Sequence, residues 1–228
     1  MGTLKMIALA IHIVAGTIAL ISGAINMIGR KGGIRHRKAG KVFAISMYAV
    51  ALSSLILSLV IESLFFFCLG IFTFYMTWNG QRAAKYRTVH LRPFDLAVLL
   101  IGLINTAVML FKGSPILIGL GILSAVLVIG EIRIFVRLRN GWIAPGNAWL
   151  RRHIGMIIGS YIATCTAFLV VNSSGGPWPA WFPWALPSMI GVPMIVYWSV
   201  KLSKADRRRS DQRAAAPSRS SRRMPSSL

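Results

Sequence analysis

The chain alternates between long apolar segments and short polar connections. Seven apolar segments reach or approach the ~20 residues that an α-helix needs to cross a bilayer. They lie near residues 6–28, 42–61, 63–79, 94–111, 115–136, 153–172 and 184–202. The pattern predicts an all-α fold, a polytopic membrane bundle of seven transmembrane helices.

The division between the second and third segments rests on Glu62 and Ser63, which are the only interruption of a long apolar run. A single helix over residues 42–79 would be ~60 Å long at a rise of 1.5 Å per residue, about twice the thickness of the hydrocarbon core. We therefore expect the chain to turn back at these two residues.

Basic residues are concentrated in alternate connections. Of the 26 Lys and Arg residues, 24 lie after the first, third and fifth segments and in the C-terminal tail, and only Lys5 and Lys112 lie elsewhere. Short connections that stay in the cytoplasm carry an excess of Lys and Arg. This distribution predicts that the N-terminus is outside and the C-terminus is inside, in agreement with an odd number of spans.

Composition excludes the soluble classes of protein. The chain is 55% hydrophobic and only 14% charged, so it has too little polar surface to cover a soluble globule. The net charge of +21 is therefore interpreted as a membrane signal, and no nucleic acid partner is expected. The predicted partners are the lipid bilayer and, at the basic inner face, anionic lipid headgroups.

Two regions differ in composition. Residues 1–202 contain all seven predicted spans and form the transmembrane domain. Residues 203–228 are rich in Arg, Ser, Ala and Pro and have no apolar period, so they cannot bury enough surface to fold alone. They are predicted to be a disordered, basic cytoplasmic tail that contacts anionic lipid.

Ionisable groups within a span are costly and are candidates for function. His12 lies about six residues into the first segment, on a face that also carries Ala15, Ala19 and Gly23 at helical spacing. Small residues allow close helix packing, so this face is expected to pack on a neighbour and His12 to point into the bundle. Its predicted role is an interhelical hydrogen bond, a ligand or a proton relay.

The other histidines share one depth in the predicted topology. His36, His90 and His153 each lie in an inner connection just before a helix. Imidazoles at one depth on different helices can ligate a haem iron axially. Arg37 and Arg152, beside two of these histidines, are suited to an anionic group such as a propionate or a lipid phosphate. The sequence thus favours b-type haem at His36 and His153, with His12 as a second ligand or proton site.

Two carboxylates offer alternatives. Asp95 with His90 and His153 is a candidate zinc or iron site, which would indicate a membrane hydrolase. Asp95 also follows Pro93 at the start of a helix, where it would complement the helix dipole. Glu131 lies near the inner end of the fifth segment and is interpreted as one partner of an ion pair, with Arg133, Arg137 or His153 as the other. Glu131, Arg37 and Arg152 are thus predicted to have a structural or relay role.

Three sequence patterns resemble those of a known family. They are H-x-x-x-G-x-x-x-L-x-x-G from His12, R-K-G-G-x-x-H-R-x-x-G-x-x-F from Arg30, and R-H-x-x-M from Arg152. Together they resemble a family of bacterial multi-helix membrane proteins of unknown function, over residues 6–172. The resemblance implies a multi-pass protein of the bacterial plasma membrane, with His12, His36, Arg37 and His153 as marked positions. The histidine placement is also similar to that of b-type cytochrome membrane domains, without their two histidines at each of two depths.

These features leave three classes of function open. The first is a haem-binding membrane redox protein that uses the inner-side histidines. The second is a transporter or channel for a small solute, with His12, Glu131 and the small-residue faces along its path. The third is the metal-dependent hydrolase, and a scaffold without catalytic activity is a further alternative.

Overall fold

The computed structural model describes residues 2–173, 176–179 and 181–215, and within these ranges it contains seven α-helices and no strand. The helices are α1 (Gly2–Ile28), α2 (Ile34–Val60), α3 (Leu64–Tyr86), α4 (Pro93–Lys112), α5 (Pro115–Arg139), α6 (Ala148–Asn172) and α7 (Phe182–Ala215). The predicted all-α, polytopic bundle is confirmed. We call the end at which α1, α3 and α5 finish and α2, α4 and α6 begin the basic end.

Six of the seven helices are long and apolar enough to cross a membrane. The exception within the described residues is α3. Its second half carries the polar residues Asn79, Gln81 and Arg82. Because α3 packs against α2, α4 and α6, these polar groups face protein and not lipid.

The turn between α2 and α3 occurs where the sequence predicts it. Glu62 adopts a left-handed backbone conformation with φ 51°, and the Ser63 amide donates to the Ser58 carbonyl at 3.0 Å. This backbone bond satisfies a carbonyl that the end of α2 would otherwise leave unpaired. Three residues therefore suffice to reverse the chain.

The core surrounds α3. Phe72, Tyr75 and Met76 of this helix are buried against Val98, Val128 and Met156, which come from α4, α5 and α6. Large aliphatic side chains on the outer surfaces of the helices are exposed. A surface of this kind is stable against lipid tails and unstable in water, which agrees with a membrane location.

The small-residue face of α1 packs as the sequence predicts. Ala15 and Ala19 are buried where α1 contacts α2, and Gly23 lies directly against the Tyr161 ring of α6. A side chain at position 23 would displace that ring. Small residues thus bring α1 close to two neighbouring helices.

Helices α2 and α6 begin earlier than predicted, at Ile34 and Ala148. His36 therefore lies in the first turn of α2 and His153 in the second turn of α6, and their predicted position in the preceding connections is wrong. The residues that extend these helices include Arg, Lys, Ala and Leu, which are good helix formers, and long basic side chains can reach the interface from a helix end.

Helix α7 continues into the tail that the sequence predicts to be disordered. It runs past residue 203 to Ala215, and its Asp206 carboxylate contacts the start of α6. Asp206 Oδ1 accepts hydrogen bonds from the Asn147 amide at 3.2 Å and from Asn147 Nδ2 at 2.9 Å. This tertiary contact orders a segment whose composition alone favours disorder. Residues 216–228, the rest of the predicted tail, lie outside the described residues.

Candidate functional site

His153 is held by a hydrogen bond across two helices. Its Nδ1 donates to the Gly80 carbonyl of α3 over 2.9 Å. A neutral imidazole that donates from Nδ1 has Nε2 free as an acceptor or a metal ligand. The contact therefore determines both the tautomer and the ring orientation of His153.

This contact depends on close packing between α3 and α6. A Cβ atom at Gly80 would lie 2.7 Å from Ile157 Cγ1, so only glycine fits there without displacement. About one turn away from the Gly80 and Ile157 contact, the Thr77 and Ser160 hydroxyl groups form a buried hydrogen bond of 3.0 Å. The glycine and the hydroxyl pair together place α6, and hence His153, against α3.

His36 and His153 line the same cavity. The cavity has a volume of about 420 Å³ and lies at the basic end, where α1, α2, α3, α6 and α7 meet. The His36 Nδ1 atom is buried and has no hydrogen-bond partner among the described residues. The structure thus brings together the two histidines that the sequence selects as a ligand pair.

Basic and apolar groups line different parts of this cavity. Lys31, Arg37 and Arg87 contribute positive charge. Lys31 Nζ also donates to the Asn26 carbonyl at 2.7 Å, and burial lowers the pKa of its ammonium group. The apolar wall is formed by Ile154, Ile157, Ile158, Met194, Trp198 and Leu202. Such a lining suits an amphipathic molecule that carries a negative charge.

A network of buried charges lies beside His153. Arg82 of α3 contacts the Glu131 carboxylate of α5 at 2.9 Å and the Asp95 carboxylate of α4 at 3.5 Å. Arg152 of α6 contacts the other oxygen of Glu131. These four side chains are at most 8% exposed. Two cations and two anions from four helices therefore neutralise one another inside the bundle.

The predicted ion pair of Glu131 exists, but its predicted partners are wrong. Arg82 and Arg152 occupy those places, whereas Arg133 is exposed. The apolar pattern of the third span ends at residue 79, so hydropathy does not identify Arg82 as a partner. The available signal is the i, i+3 spacing of Asn79 and Arg82, which places two polar side chains on one face of an extended α3.

Asp95 has partners other than the predicted metal ligands. Within the described ranges no group of three or more His, Cys, Asp and Glu side chains is close enough to hold a metal ion. The Asp95 carboxylate instead accepts hydrogen bonds from Trp78 Nε1 at 2.9 Å and from the Arg92 amide at 2.8 Å. The second bond caps α4, so Asp95 has the helix-start role that the sequence offers as its alternative.

His12 lies apart from the other candidates. Its Nδ1 is 3.0 Å from Ser53 Oγ, and the Ser53 hydroxyl donates to the Ala49 carbonyl, so His12 is the donor to Ser53. At 1.5 Å per residue, His12 is about 21 Å along α1 from Asn26 at the cavity. The structure therefore does not bring His12 to the His36 and His153 site. It shows the interhelical hydrogen bond instead.

Part of the chain matches a known protein family. Residues 9–92 match a family model described as "Predicted membrane protein (DUF2306)". No curated protein matches the chain, and no solved structure does. The matched segment contains His12, His36 and Arg37, whereas His153 and the R-H-x-x-M pattern lie beyond it.

The description of this family names no cofactor, substrate or reaction, so it supports the membrane class and nothing finer. The expected resemblance to a membrane protein family of unknown function is confirmed for the segment that contains α1, α2 and α3. Over residues 9–92, this chain is similar to the DUF2306 family of membrane proteins.

Proposed function

We propose that this protein is a membrane redox protein that binds b-type haem in the cavity at its basic end. The observation that carries the proposal is that His36 and His153, on α2 and α6, line one cavity of about 420 Å³. This volume is within the ~300–1,000 Å³ that is usual for small-molecule and cofactor sites.

The two imidazoles have the features of axial ligands. A metal-binding histidine usually donates its second ring N–H to a carbonyl or carboxylate, and His153 donates Nδ1 to Gly80. His36 has a buried Nδ1 without a partner in the described part of the chain, which is costly unless a ligand satisfies it. Both residues thus have a ring nitrogen available for iron.

The remaining lining fits the other parts of a haem. The apolar side chains of α6 and α7 would cover the macrocycle, and Lys31 and Arg37 would pair with its propionates. When bound, haem supplies one-electron transfer at the iron. The chain itself would hold the ring, orient the two imidazoles and neutralise the carboxylates.

The basic end also bears on location. Nearly all Lys and Arg residues lie there, so we infer that this end faces the cytoplasm of a bacterium and that the protein is in the plasma membrane. Lys and Arg side chains at that surface would attract anionic lipid headgroups by about 1 kcal/mol each.

The test is an absorption spectrum and iron analysis of the detergent-purified full chain. We expect a Soret band that shifts on reduction and is lost in His36→Ala and in His153→Ala. His90→Ala is the matched control, because His90 is also at the basic end but does not line this cavity. It should keep the band.

A colourless, iron-free protein after expression with added haem precursor would overturn the proposal. Loss of the band in the His90→Ala control alone would also overturn it. If the protein is colourless and free of iron, the alternatives are transport of a small solute through the same cavity and a scaffold role.

A further inference from the structure

A second cavity lies at the basic end, beside the connections between the helices. It has a volume of about 430 Å³ and is bounded by the connection from α3 to α4, the connection from α5 to α6 and the adjoining ends of α5 and α6. We call it the aqueous cavity, because the connections that bound it join the ends of apolar helices, and we call the cavity lined by His36 and His153 the haem cavity. His36 and His153 do not line the aqueous cavity.

Arg87 and Trp149 form a wall that the two cavities share. The Arg87 guanidinium carbon is 5.8 Å from the centroid of the Trp149 ring, a cation–π contact. Each of the two side chains therefore presents one side to the haem cavity and another to the aqueous cavity.

The backbone of Arg87 is in a costly conformation. Arg87 ends α3 with φ 49°, and Glu62, with φ 51°, is the other residue besides glycine that has a positive φ in the described ranges. Glycine adopts this conformation without steric cost. Arginine at this position is explained if its side chain has a role that glycine cannot supply.

The lining of the aqueous cavity identifies a class of ligand. Arg87 and His90 are its ionisable residues, and no Asp or Glu is among the described residues that line it. Trp142 and Trp149 add flat aromatic surface. A guanidinium binds phosphate or carboxylate by paired hydrogen bonds, and an indole ring stacks on a flat ring.

We propose that the aqueous cavity binds a small molecule that joins a flat aromatic ring to an anionic group. Arg87 binds the anion and Trp149 stacks on the ring. The cavity volume is in the range for such ligands.

The experiment is isothermal titration of the purified full chain with adenosine monophosphate, which has both the ring and the anion. Adenosine and inorganic phosphate, which have one each, are the partial probes. The expected result is saturable binding of adenosine monophosphate with at least a tenfold higher affinity than either partial probe.

Two variants separate binding from folding. Arg87→Gly removes the guanidinium while relieving the left-handed backbone, so its melting temperature should rise and its affinity should fall at least tenfold. Glu62→Gly is the matched control, since it relieves the same backbone conformation at the opposite end of the bundle. It should melt at a higher temperature and keep full affinity.

Three results would overturn the proposal. They are no saturable binding of adenosine monophosphate to the unmodified chain, equal affinity for inorganic phosphate alone, and unchanged affinity in Arg87→Gly. Binding that requires both parts of the probe and the guanidinium supports it.

Discussion

Two arginines that are neighbours in the sequence have different surroundings. Arg152 is buried and contacts Glu131, within a charge network that four helices build. Arg151 is 23% exposed and contacts Asp206 on the part of α7 that continues past residue 203. The same residue type thus joins the core of the bundle in one case and its edge in the other.

The difference in burial between the two pairs determines how much each contributes to stability. Removing one partner of a buried pair leaves an uncompensated charge and costs ~3–5 kcal/mol, whereas exposed pairs contribute about 0–1 kcal/mol. We therefore expect the Arg152 network to determine whether the helices assemble. The Arg151 pair should determine only whether the end of α7 stays ordered.

The largest effect is expected for Glu131→Gln. The substitution leaves Arg82 and Arg152 without the carboxylate that both contact, so the free energy of unfolding should fall by ~3–5 kcal/mol. Unfolding in a mixed detergent series measures it. Arg133→Gln is the control, because Arg133 is exposed and should change stability by less than ~0.5 kcal/mol. Equal effects of the two substitutions would disprove the assignment of partners.

A second substitution changes the packing of α6 against α3. Gly80→Ala places a Cβ atom 2.7 Å from Ile157 Cγ1 and 3.1 Å from Met156 Cβ, and such overpacking costs ~1–3 kcal/mol. Gly155→Ala on α6 is the control. Nothing lies within 4 Å of its added Cβ, so the better helix propensity of alanine should stabilise it by up to ~1 kcal/mol. Unfolding in the same mixed detergent series measures both effects. An unchanged free energy of unfolding in Gly80→Ala would contradict the described packing.

A smaller effect on stability is expected at the pair of Arg151 and Asp206, where the end of α7 contacts α6. Asp206→Asn removes the charge that Arg151 contacts and weakens the bonds to Asn147, so global stability should change by at most ~1 kcal/mol. Amide hydrogen exchange should nevertheless become faster in residues 203–212. Asp211→Asn, an exposed acid on the same extension, is the control. Protection unchanged in Asp206→Asn would refute the role of this contact.

The smallest effect is a response to salt. At ~1 M salt the Debye length is about 3 Å, so the partly exposed pair of Arg151 and Asp206 should weaken and exchange in the α7 extension should rise modestly. The effect of Glu131→Gln on unfolding should stay the same, because buried pairs are screened much less. If salt also reduced the effect of Glu131→Gln on unfolding, the proposed difference between the buried network and the partly exposed pair would be contradicted.

The predictions from the sequence are accurate where one local property decides the structure. The seven helices, the turn at Glu62 and the small-residue face of α1 all follow from hydropathy and residue size. The predicted ends of the helices are wrong. The early starts of α2 and α6 and the continuation of α7 depend on polar residues, whose helical state is decided by contacts such as that of Asp206 with Asn147.

The candidate site divides in the same way. Selection of His36 and His153 as a pair follows from equal depth in a membrane topology, and the structure places both on one cavity. The carbonyl that orients His153 and the arginine that reaches Glu131 from α3 could not be selected, since both depend on how α3 is rotated against its neighbours.

The order of apolar and charged residues along the chain is sufficient to predict a helical membrane protein with one strongly basic end, because the cost of exposing apolar or charged groups in the wrong solvent depends only on which residues follow one another. The packing of the helices in three dimensions fixes which charges pair, which imidazoles share a cavity and which arginine separates the two cavities. Those outcomes depend on distances of a few ångströms between helices that are far apart in the chain, and hydropathy carries no information about such distances.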